Sequence, residues 1–418
     1  MTQINPVRGT KDLLPKEKYL FNRIISISRK TAELYGYLDI ETPIFEKSDV
    51  FSRPLGQTSD VVSKETYNFK DRNDELLTLR PEGTAAIMRA VLSNSLTQNL
   101  PLRWFYSGPM FRYERPQKGR MRQFHQIGCE LIGSYSYLSD LEIISCSVRI
   151  LKSLGLLKFC TLKINTLGDI ESRKKYKEKL ISYFKQNQRK LSEDSQRRLF
   201  LNPLRILDSK SIKDKEIIKN APVLTEFLNL ESREHYKNVL DTMKSLNIVY
   251  EEDNFLVRGL DYYTHTVFEF VTDKLGSQGT VLGGGRYNGL AEKLGGKNIP
   301  GVGFSAGIER IALLYEDEQI KNIKIALICL DDNKTVEMFK ISEKIRNLNL
   351  FCILIEKGNL NKKMKVANKL GCNFVVICGP NEFKKGEYVL KDMENGKQRL
   401  LKIKNIEKEI NNFLNLRS

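Results

Sequence analysis

Apolar positions along the first 320 residues change period several times, and each change marks an element. Tyr19, Leu20, Ile24, Ile27 and Leu34 recur at helical spacing between Lys16 and Tyr35, and Gly36 follows as a stop. The stretch YLDIETPIFE reads next as a single strand, with Pro43 marking an edge or a bulge. Leu76 to Arg80 and Leu102 to Arg112 read as strands of an antiparallel sheet, with a helix from Ala85 to Leu92 between them. A further helix is expected from about Leu138 to Leu154, and a strand from Thr161 to Leu167.

From Asp169 to about Tyr250 the texture changes to few glycines, many lysines and helical periodicity, which reads as a helical insertion in the first domain. Strand character returns after Asn254 with VFEFV and a glycine-rich turn. Beyond Ile320 come KIALICL, FCILIEK and FVVICG, short continuous apolar runs separated by helical segments. That alternation predicts a small α/β domain with a buried parallel or mixed sheet. The expected fold is therefore α+β. Residues 1–320 form an antiparallel sheet flanked by helices with an insertion at about 169–250, and residues 322–418 form the α/β domain.

A chain of 418 residues has room for two or three domains and a large core. Its formal net charge of +17 points to a polyanion, and nucleic acid and a membrane surface both fit that sign, as does a merely lysine-rich composition. Distribution separates these readings. Residues 322–418 hold 19 Lys or Arg against 11 Asp or Glu, a net +8, so nearly half of the charge sits in under a quarter of the chain. That concentration favours a polyanion contact by the last domain. The insertion, with 18 basic against 12 acidic residues, fits a solvated helical face and an RNA contact equally.

Seven scattered cysteines without a CxxC pair suggest reduced thiols, and three histidines make a zinc site implausible. The first residues lack the apolar core of a signal peptide, and no apolar run approaches the ~20 residues of a membrane span. A cytoplasmic protein with no membrane association is expected.

Two segments about 190 residues apart concentrate the candidate chemistry. FRYERPQKGRMRQFHQIGCELIG, Phe111 to Gly133, carries Arg112 at the end of a strand and before a basic, flexible loop centred on Gly119. GVGFSAGIERI, Gly301 to Ile311, carries Arg310 on a helix entered through small residues. Two arginines on rigid frames suit a triphosphate, because guanidinium is always charged and binds phosphate bidentately. Gln126 and Glu130, four apart on one strand, share a face and would be costly in a dry core without a ligand. RPEGT, Arg80 to Thr84, puts Glu82 where a strand gives way to a helix. The backbone amides there suit an anion, and the carboxylate suits an ammonium. GGGR, Gly283 to Arg286, looks like a phosphate-cradling loop, although its spacing does not fit a dinucleotide fingerprint.

The two arginine segments resemble signature motifs of class II aminoacyl-tRNA synthetases. LVRGLDYYTHTVFEF (Leu256 to Phe270), GGGRYNGL (Gly283 to Leu290) and PVRGTKDLLP (Pro6 to Pro15) narrow the resemblance to histidyl-tRNA synthetases over nearly the whole chain. The resemblance implies a histidine–tRNA ligase that uses ATP with Mg2+, L-histidine and tRNA(His). It implies no protein side-chain metal site, a homodimer built on the first helix–strand–proline segment, and an anticodon-reading C-terminal domain. It implies Arg258 and Arg112 as catalytic residues. Histidine would be held by Glu82, Gly83, Thr84, Gln126, Glu130, Arg258, Tyr262, Tyr263 and Tyr287, and ATP by Arg112, Arg120, Phe124 and Arg310. Glu130 would read one imidazole N–H and Tyr263 the other side. Phe124 fits core packing and adenine stacking equally, and His125 would support its strand. The rivals are a non-catalytic relative acting as a regulatory subunit or tRNA sensor, and a synthetase of neighbouring specificity. RGLDYYTHTVFEF disfavours the latter.

Overall fold

The computed structural model describes residues 3–56, 61–276, 279–316, 323–406 and 408–410, apart from the side chains of residues 61 and 63. The chain divides into two compact units, Met1–Asp317 and Glu318–Ser418. The domain boundary expected at 320–322 lies outside the described residues.

The first unit is built on an eight-stranded sheet. Its strands are β1 (Leu38–Asp39), β5 (Leu102–Phe111), β6 (Gln123–Ile132), β7 (Thr161–Thr166), β8 (Glu251–Glu252), β9 (Thr264–Val271), β10 (Thr280–Arg286) and β11 (Gly301–Gly307), in the order β1-β5-β6-β11-β10-β9-β7-β8. The six inner strands pair antiparallel, and only the two-residue edges β1 and β8 pair parallel. The period-2 alternation of the strands gives the sheet two different faces. Ile127, Cys129 and Leu131 of β6 join Phe268 and Phe270 of β9 and Val302 and Phe304 of β11 in one core. That face is covered by α1 (Pro15–Glu33), α4 (Tyr137–Ser153), α8 (Leu230–Ser245) and α10 (Ile308–Leu314), whose apolar stripes complete the same core. The intervening positions Gln126, Gly128 and Glu130 face the other way.

Three expectations need correction here, the first being that Leu76 to Arg80 and Leu102 to Arg112 share a sheet: they lie in two. YLDIETPIFE is not one strand. Pro43 has no N–H to continue a ladder, and the chain splits into β1, paired with β5, and β2 (Phe45–Lys47). The latter belongs to a separate antiparallel sheet with β3 (Tyr67–Lys70) and β4 (Leu76–Leu79), in the order β2-β4-β3. GGGR is not a loop either. Its glycines lie in the buried middle of β10, between β9 and β11, where a Cβ on Gly284 would meet the Gly303 carbonyl. The glycines there permit close strand packing rather than an open cradle. Beside the sheets lie α2 (Asp49–Leu55), α3 (Thr84–Ser93) and the short α9 (Leu290–Lys293).

The segment 169–250 contains α5 (Ile170–Gln186), α6 (Glu193–Leu201), α7 (Ile212–Ile218) and α8. Its helix starts carry local chemistry: Asp169, Ser192 and Asn229 cap α5, α6 and α8 by accepting from the N3 amide. Its polar knot has no such local signal. Asp214, fully buried on α7, accepts from the Ser192 amide at 2.7 Å and from the Ser192, Ser195 and Ser209 hydroxyls at 2.6 Å.

The second unit has β12 (Lys324–Cys329), β13 (Phe351–Ile355), β14 (Phe374–Cys378), β15 (Glu387–Asp392) and β16 (Gln398–Lys402) in the order β13-β12-β14-β15-β16. The first three are parallel and the last two antiparallel, so the sheet is mixed. Helices α11 (Thr335–Arg346) and α12 (Leu360–Lys369) make the crossovers between parallel strands, and α13 (Pro380–Lys385) precedes β15. Ile325 and Leu327 enter one core and Ala326 and Ile328 another, which is why β12 reads as a continuous apolar run. Among the described residues no helix is long and apolar enough to cross a membrane.

Replacing Asp214 with Ala leaves three hydroxyls and an amide without their shared acceptor. A loss of about 3 kcal/mol is expected, measured by urea unfolding, with Asp214→Asn retaining part of it.

Candidate active site

The site lies on the face of the large sheet that the four helices leave uncovered, and β6 is its floor. Glu130 stands opposite Gly303 of β11 and Trp104 of β5, and Gln126 opposite Gly307 and Gly108. The missing side chain at Gly303 makes room for a carboxylate, since a Cβ there would collide with Glu130 Oε2. Both Glu130 oxygens are engaged. Thr84 Oγ1 donates to one at 2.7 Å and the Tyr287 hydroxyl to the other at 2.5 Å. Burial pushes the Glu130 carboxyl up to about 8 against the opposing pull of these two hydroxyls, with Glu82 adding to the rise.

Glu82 lies at the entry to α3. The structure corrects the expectation that the amides at this helix start await a ligand anion. Glu82 takes them itself, accepting from the Thr84 and Ala85 amides at 2.7 and 2.8 Å. Its carboxyl is raised by burial, against those two amides and the charge of Arg112. Gly83 lies under the Tyr106 ring, where a Cβ has no room. Tyr262, Tyr263 and Tyr287 form one aromatic group, with ring centroids 4.7 Å apart for the first two and 5.8 Å for Tyr262 and Tyr287. Tyr262 reaches Glu82 at 3.5 Å.

The other end of the cleft is cationic. Arg112 donates to the Pro81 carbonyl at 2.9 Å and lies 5.5 Å from the centre of the Phe124 ring. Phe124 is half-buried and touches the core beside this face, so it serves as packing and as a cation–π partner at once. Arg310 donates to the Thr280 carbonyl at 2.6 Å, and Arg258 pairs with Glu269, which also accepts from Thr280 Oγ1 at 2.9 Å. Arg120 pairs with Glu114 at 2.5 Å. The Arg310 guanidinium is held below its ordinary value by burial and by the charges of Arg120, Arg112 and Arg258, against the pull of Glu114. The structure thus brings four arginines from three stretches of chain close enough for Arg310 to feel the charges of the other three.

The loop Arg115 to Arg122 is more ordered than its composition suggests. Gln117 and Arg120 bridge across a turn with Gly119 at φ +74°, and the Gly119 carbonyl lies 3.4 Å from Arg310 Nε. The Gly9 carbonyl accepts from the Arg122 amide at 2.7 Å, so the PVRGTKDLLP segment braces the loop. His125 supports its strand through a partner that sequence reasoning missed. Glu309 accepts from the His125 amide at 2.9 Å and faces its Nδ1 at 3.0 Å, joining β6 to the helix that carries Arg310. Its place immediately before Arg310 was the available signal. Tyr106 and Glu269 were also missed; Glu269 is the lone polar residue in VFEFV.

Among the described residues, Gln126 Oε1, Tyr106 Oη and Arg258 Nε are buried here without a hydrogen-bond partner. Buried polar groups are rarely left so, and these three suit a polar ligand. No cluster of three metal-ligating side chains occurs among the described residues.

An antiparallel sheet thus joins a buried acidic, tyrosine-lined cleft to a group of arginines, the arrangement that the resemblance to class II aminoacyl-tRNA synthetases implied. A family model described as "Histidyl-tRNA synthetase" matches residues 9–311, and one described as "Anticodon binding domain" matches 324–413. A histidine–tRNA ligase of Gluconobacter oxydans is 46% identical over 95% of this chain and 96% of its own length. That of Rhodospirillum rubrum is 45% identical over 99% and 100%. The crystal structure of apo histidyl-tRNA synthetase from S. aureus superposes with a TM-score of 0.81 at 34% identity, covering 97% of this chain and 99% of that one. The chain belongs to the histidyl-tRNA synthetase family.

A carboxyl raised to about 8 in the folded state keeps its proton there between the ordinary value of 4.5 and about 8, where the unfolded chain has lost it. Folding stability should therefore fall as pH rises through that window. Glu130→Gln, which carries no titrating group, should melt higher relative to the wild type at pH 9 than at pH 5.5 by calorimetry.

Proposed function

We infer that this chain is a histidine–tRNA ligase that joins L-histidine to tRNA(His) with ATP. The observation that carries the reading is the four-arginine group beside a buried cleft with unpartnered polar atoms. The family and the ligase relatives, at high coverage, favour catalysis over a regulatory subunit, and Arg112, Arg258, Arg310 and the second unit are all present.

In the first step a carboxylate oxygen of histidine attacks the α-phosphorus of ATP, the bond to diphosphate breaks, and histidyl-adenylate remains. Two anions must meet, so catalysis is positioning plus charge stabilisation, and no general base is needed. Arg112 contacts the α-phosphate, Arg310 the γ-phosphate end, and Arg258 the charge that develops between carboxylate and phosphate. Arg120 adds a further phosphate contact and Phe124 a face for adenine. Magnesium, which would accompany ATP as part of the substrate, would neutralise phosphate charge; no protein side chain is expected to hold it, and the carboxylates beside these arginines are already paired with them, Glu114 with Arg120 and Arg112 and Glu269 with Arg258. In the second step the terminal tRNA hydroxyl attacks the histidyl carbonyl and AMP leaves.

Histidine occupies the acidic end. Its ammonium faces Glu82 and Thr84 beside Gly83. Its imidazole lies among Gln126, Glu130, Tyr262, Tyr263 and Tyr287. Hydrogen bonds to both ring nitrogens would discriminate against apolar analogues by roughly 10⁴ or more.

Residues 1–320 act as the catalytic domain, with the insertion at 169–250, and 322–418 as the anticodon reader. A pocket of about 250 Å³ joins Arg173 and Lys177 of α5 to Arg205, Arg258 and Lys293, with Asp261 the one acidic lining residue among the described residues. Its charge accords with a phosphate-rich partner. A homodimer accords with the exposed apolar residues Phe45, Phe69 and Leu76 of the three-stranded sheet. All seven cysteines are free, which fits the reducing cytoplasm.

ATP–diphosphate exchange across the twenty amino acids tests the reading, and exchange without histidine dependence would remove it. Arg258→Ala should lower histidine-dependent exchange about 10²-fold or more with an unchanged circular dichroism spectrum. An unchanged rate would take Arg258 off the catalytic group.

Deleting residues 322–418 should lower aminoacylation sharply and flatten its salt dependence, since phosphate contacts release counterions. Exchange should partly survive in a folded, dimeric truncation. Full-rate charging by that truncation would contradict anticodon reading.

A further inference from the structure

Arg286, the last residue of β10, has a fully buried guanidinium with every N–H assigned. Nε lies 3.2 and 3.1 Å from the two carboxylate oxygens of Asp140, and Nη2 lies 2.5 Å from Asp140 Oδ2 and 2.9 Å from the Ser136 carbonyl. Nη1 donates to the Ser134 carbonyl at 2.8 Å and to Asn288 Oδ1 at 3.3 Å. Asp140, equally buried, stands in the first turn of α4, on the helix-covered side of the sheet. Burial would raise its carboxyl, but Arg286 and His235 hold it well below the usual carboxylate range.

The next residue is Tyr287. Its amide donates to the Gly301 carbonyl at 2.7 Å, its ring fills the space left by the missing side chain of Gly301, and its hydroxyl donates to Glu130. Adjacent residues of an extended chain point to opposite sides. One side chain of this pair is thus locked among Asp140 and the backbone entering α4, while its neighbour sets the direction of the Glu130 carboxylate. A planar guanidinium with all donors engaged has no alternative position to relax into.

We propose that Asp140 is a positioning residue for amino-acid recognition, acting through Arg286 to fix Tyr287 against Glu130. The proposal rests on the reading of Glu130 as a histidine contact. It assigns a specificity role to a carboxylate on α4, across the sheet from the cleft. A displacement of about 1 Å at a reacting or recognising group costs on the order of 10²-fold, so a loosened Arg286 should be felt in histidine binding before it is felt in ATP binding.

The test uses full-length Asp140→Asn, which keeps the shape and removes the charge, and Arg286→Lys, which keeps the charge and removes the fork. Folding is checked by circular dichroism and thermal melting, and histidine and ATP KM are then measured by diphosphate exchange. The expected result is a histidine KM raised about tenfold or more with an ATP KM changed less than about threefold. In a Tyr287→Phe background, Asp140→Asn should add no more than about twofold, because both substitutions act on one contact. A merely structural role would lower the melting temperature and the active fraction and leave both KM values unchanged. Any of three results overturns the proposal: an unchanged histidine KM in a folded variant, full additivity, or failure of both variants to fold, which would make the pair a global fold element. Wild-type exchange without histidine dependence would instead overturn the functional reading on which the proposal rests.

Discussion

Arg112, Arg120, Arg258 and Arg310 are held close enough for their charges to be felt together at Arg310, in a space that burial has partly stripped of water. Like charges repel more strongly as solvent is removed, so this end of the cleft is unfavourable until an anion enters. Much of the first unit can be read as the apparatus that tolerates the repulsion. Glu114 takes Arg120 and lies 4.0 Å from Arg112, Glu269 takes Arg258, the Pro81 and Thr280 carbonyls accept from Arg112 and Arg310, and Glu309 ties the helix of Arg310 to β6. Such preorganisation leaves little reorganisation for the moment when phosphate charge develops.

The opposite end of the cleft has the opposite electrostatics. Glu82 and Glu130 are both buried, and burial raises both carboxyls. Each is offset by donors from its own surroundings, two amides at Glu82 and two hydroxyls at Glu130. The cleft therefore offers acceptors where a cationic or N–H-bearing group belongs and guanidinium donors where phosphate belongs. In the proposed reaction an amino acid would take the first end and a nucleotide the second, so that the carboxylate meets the α-phosphate between them.

The two faces of the large sheet divide the work. Alternate residues of β6 enter a continuous apolar core or the cleft, so α1, α4 and α8 stabilise the floor from the far side, while α10 also carries Arg310 into the cationic end of the cleft. Asp140 and Arg286 form a polar connection between the helix-covered side and the cleft, and every group in it is satisfied. A buried ion pair is expensive unless its remaining donors are paired, and the backbone entering α4 supplies those partners.

Alternation on β6, helix periods in α1 and α4, capping residues in the insertion and the apolar runs of the second unit are local properties, and each is legible in the order of amino acids alone. So are the arginines and their strand or helix contexts, because motif residues keep fixed spacings. The tertiary structure decided which of several short strands pair. Pro43 sends its two flanks to different sheets, and the glycines of Gly283 to Arg286 lie inside β10, where β11 leaves no space for a side chain at Gly284, β9 none at Gly285 and the Arg258 guanidinium none at Gly283. It also decided every partner distant in sequence: Glu309 for His125, Glu269 for Arg258 and Asp140 for Arg286, the last separated by 146 residues. Local pattern records what each residue does to its own backbone and which face it presents. Pairings between buried charges depend on how the sheet and helices close around them, and that is a property of the packed chain.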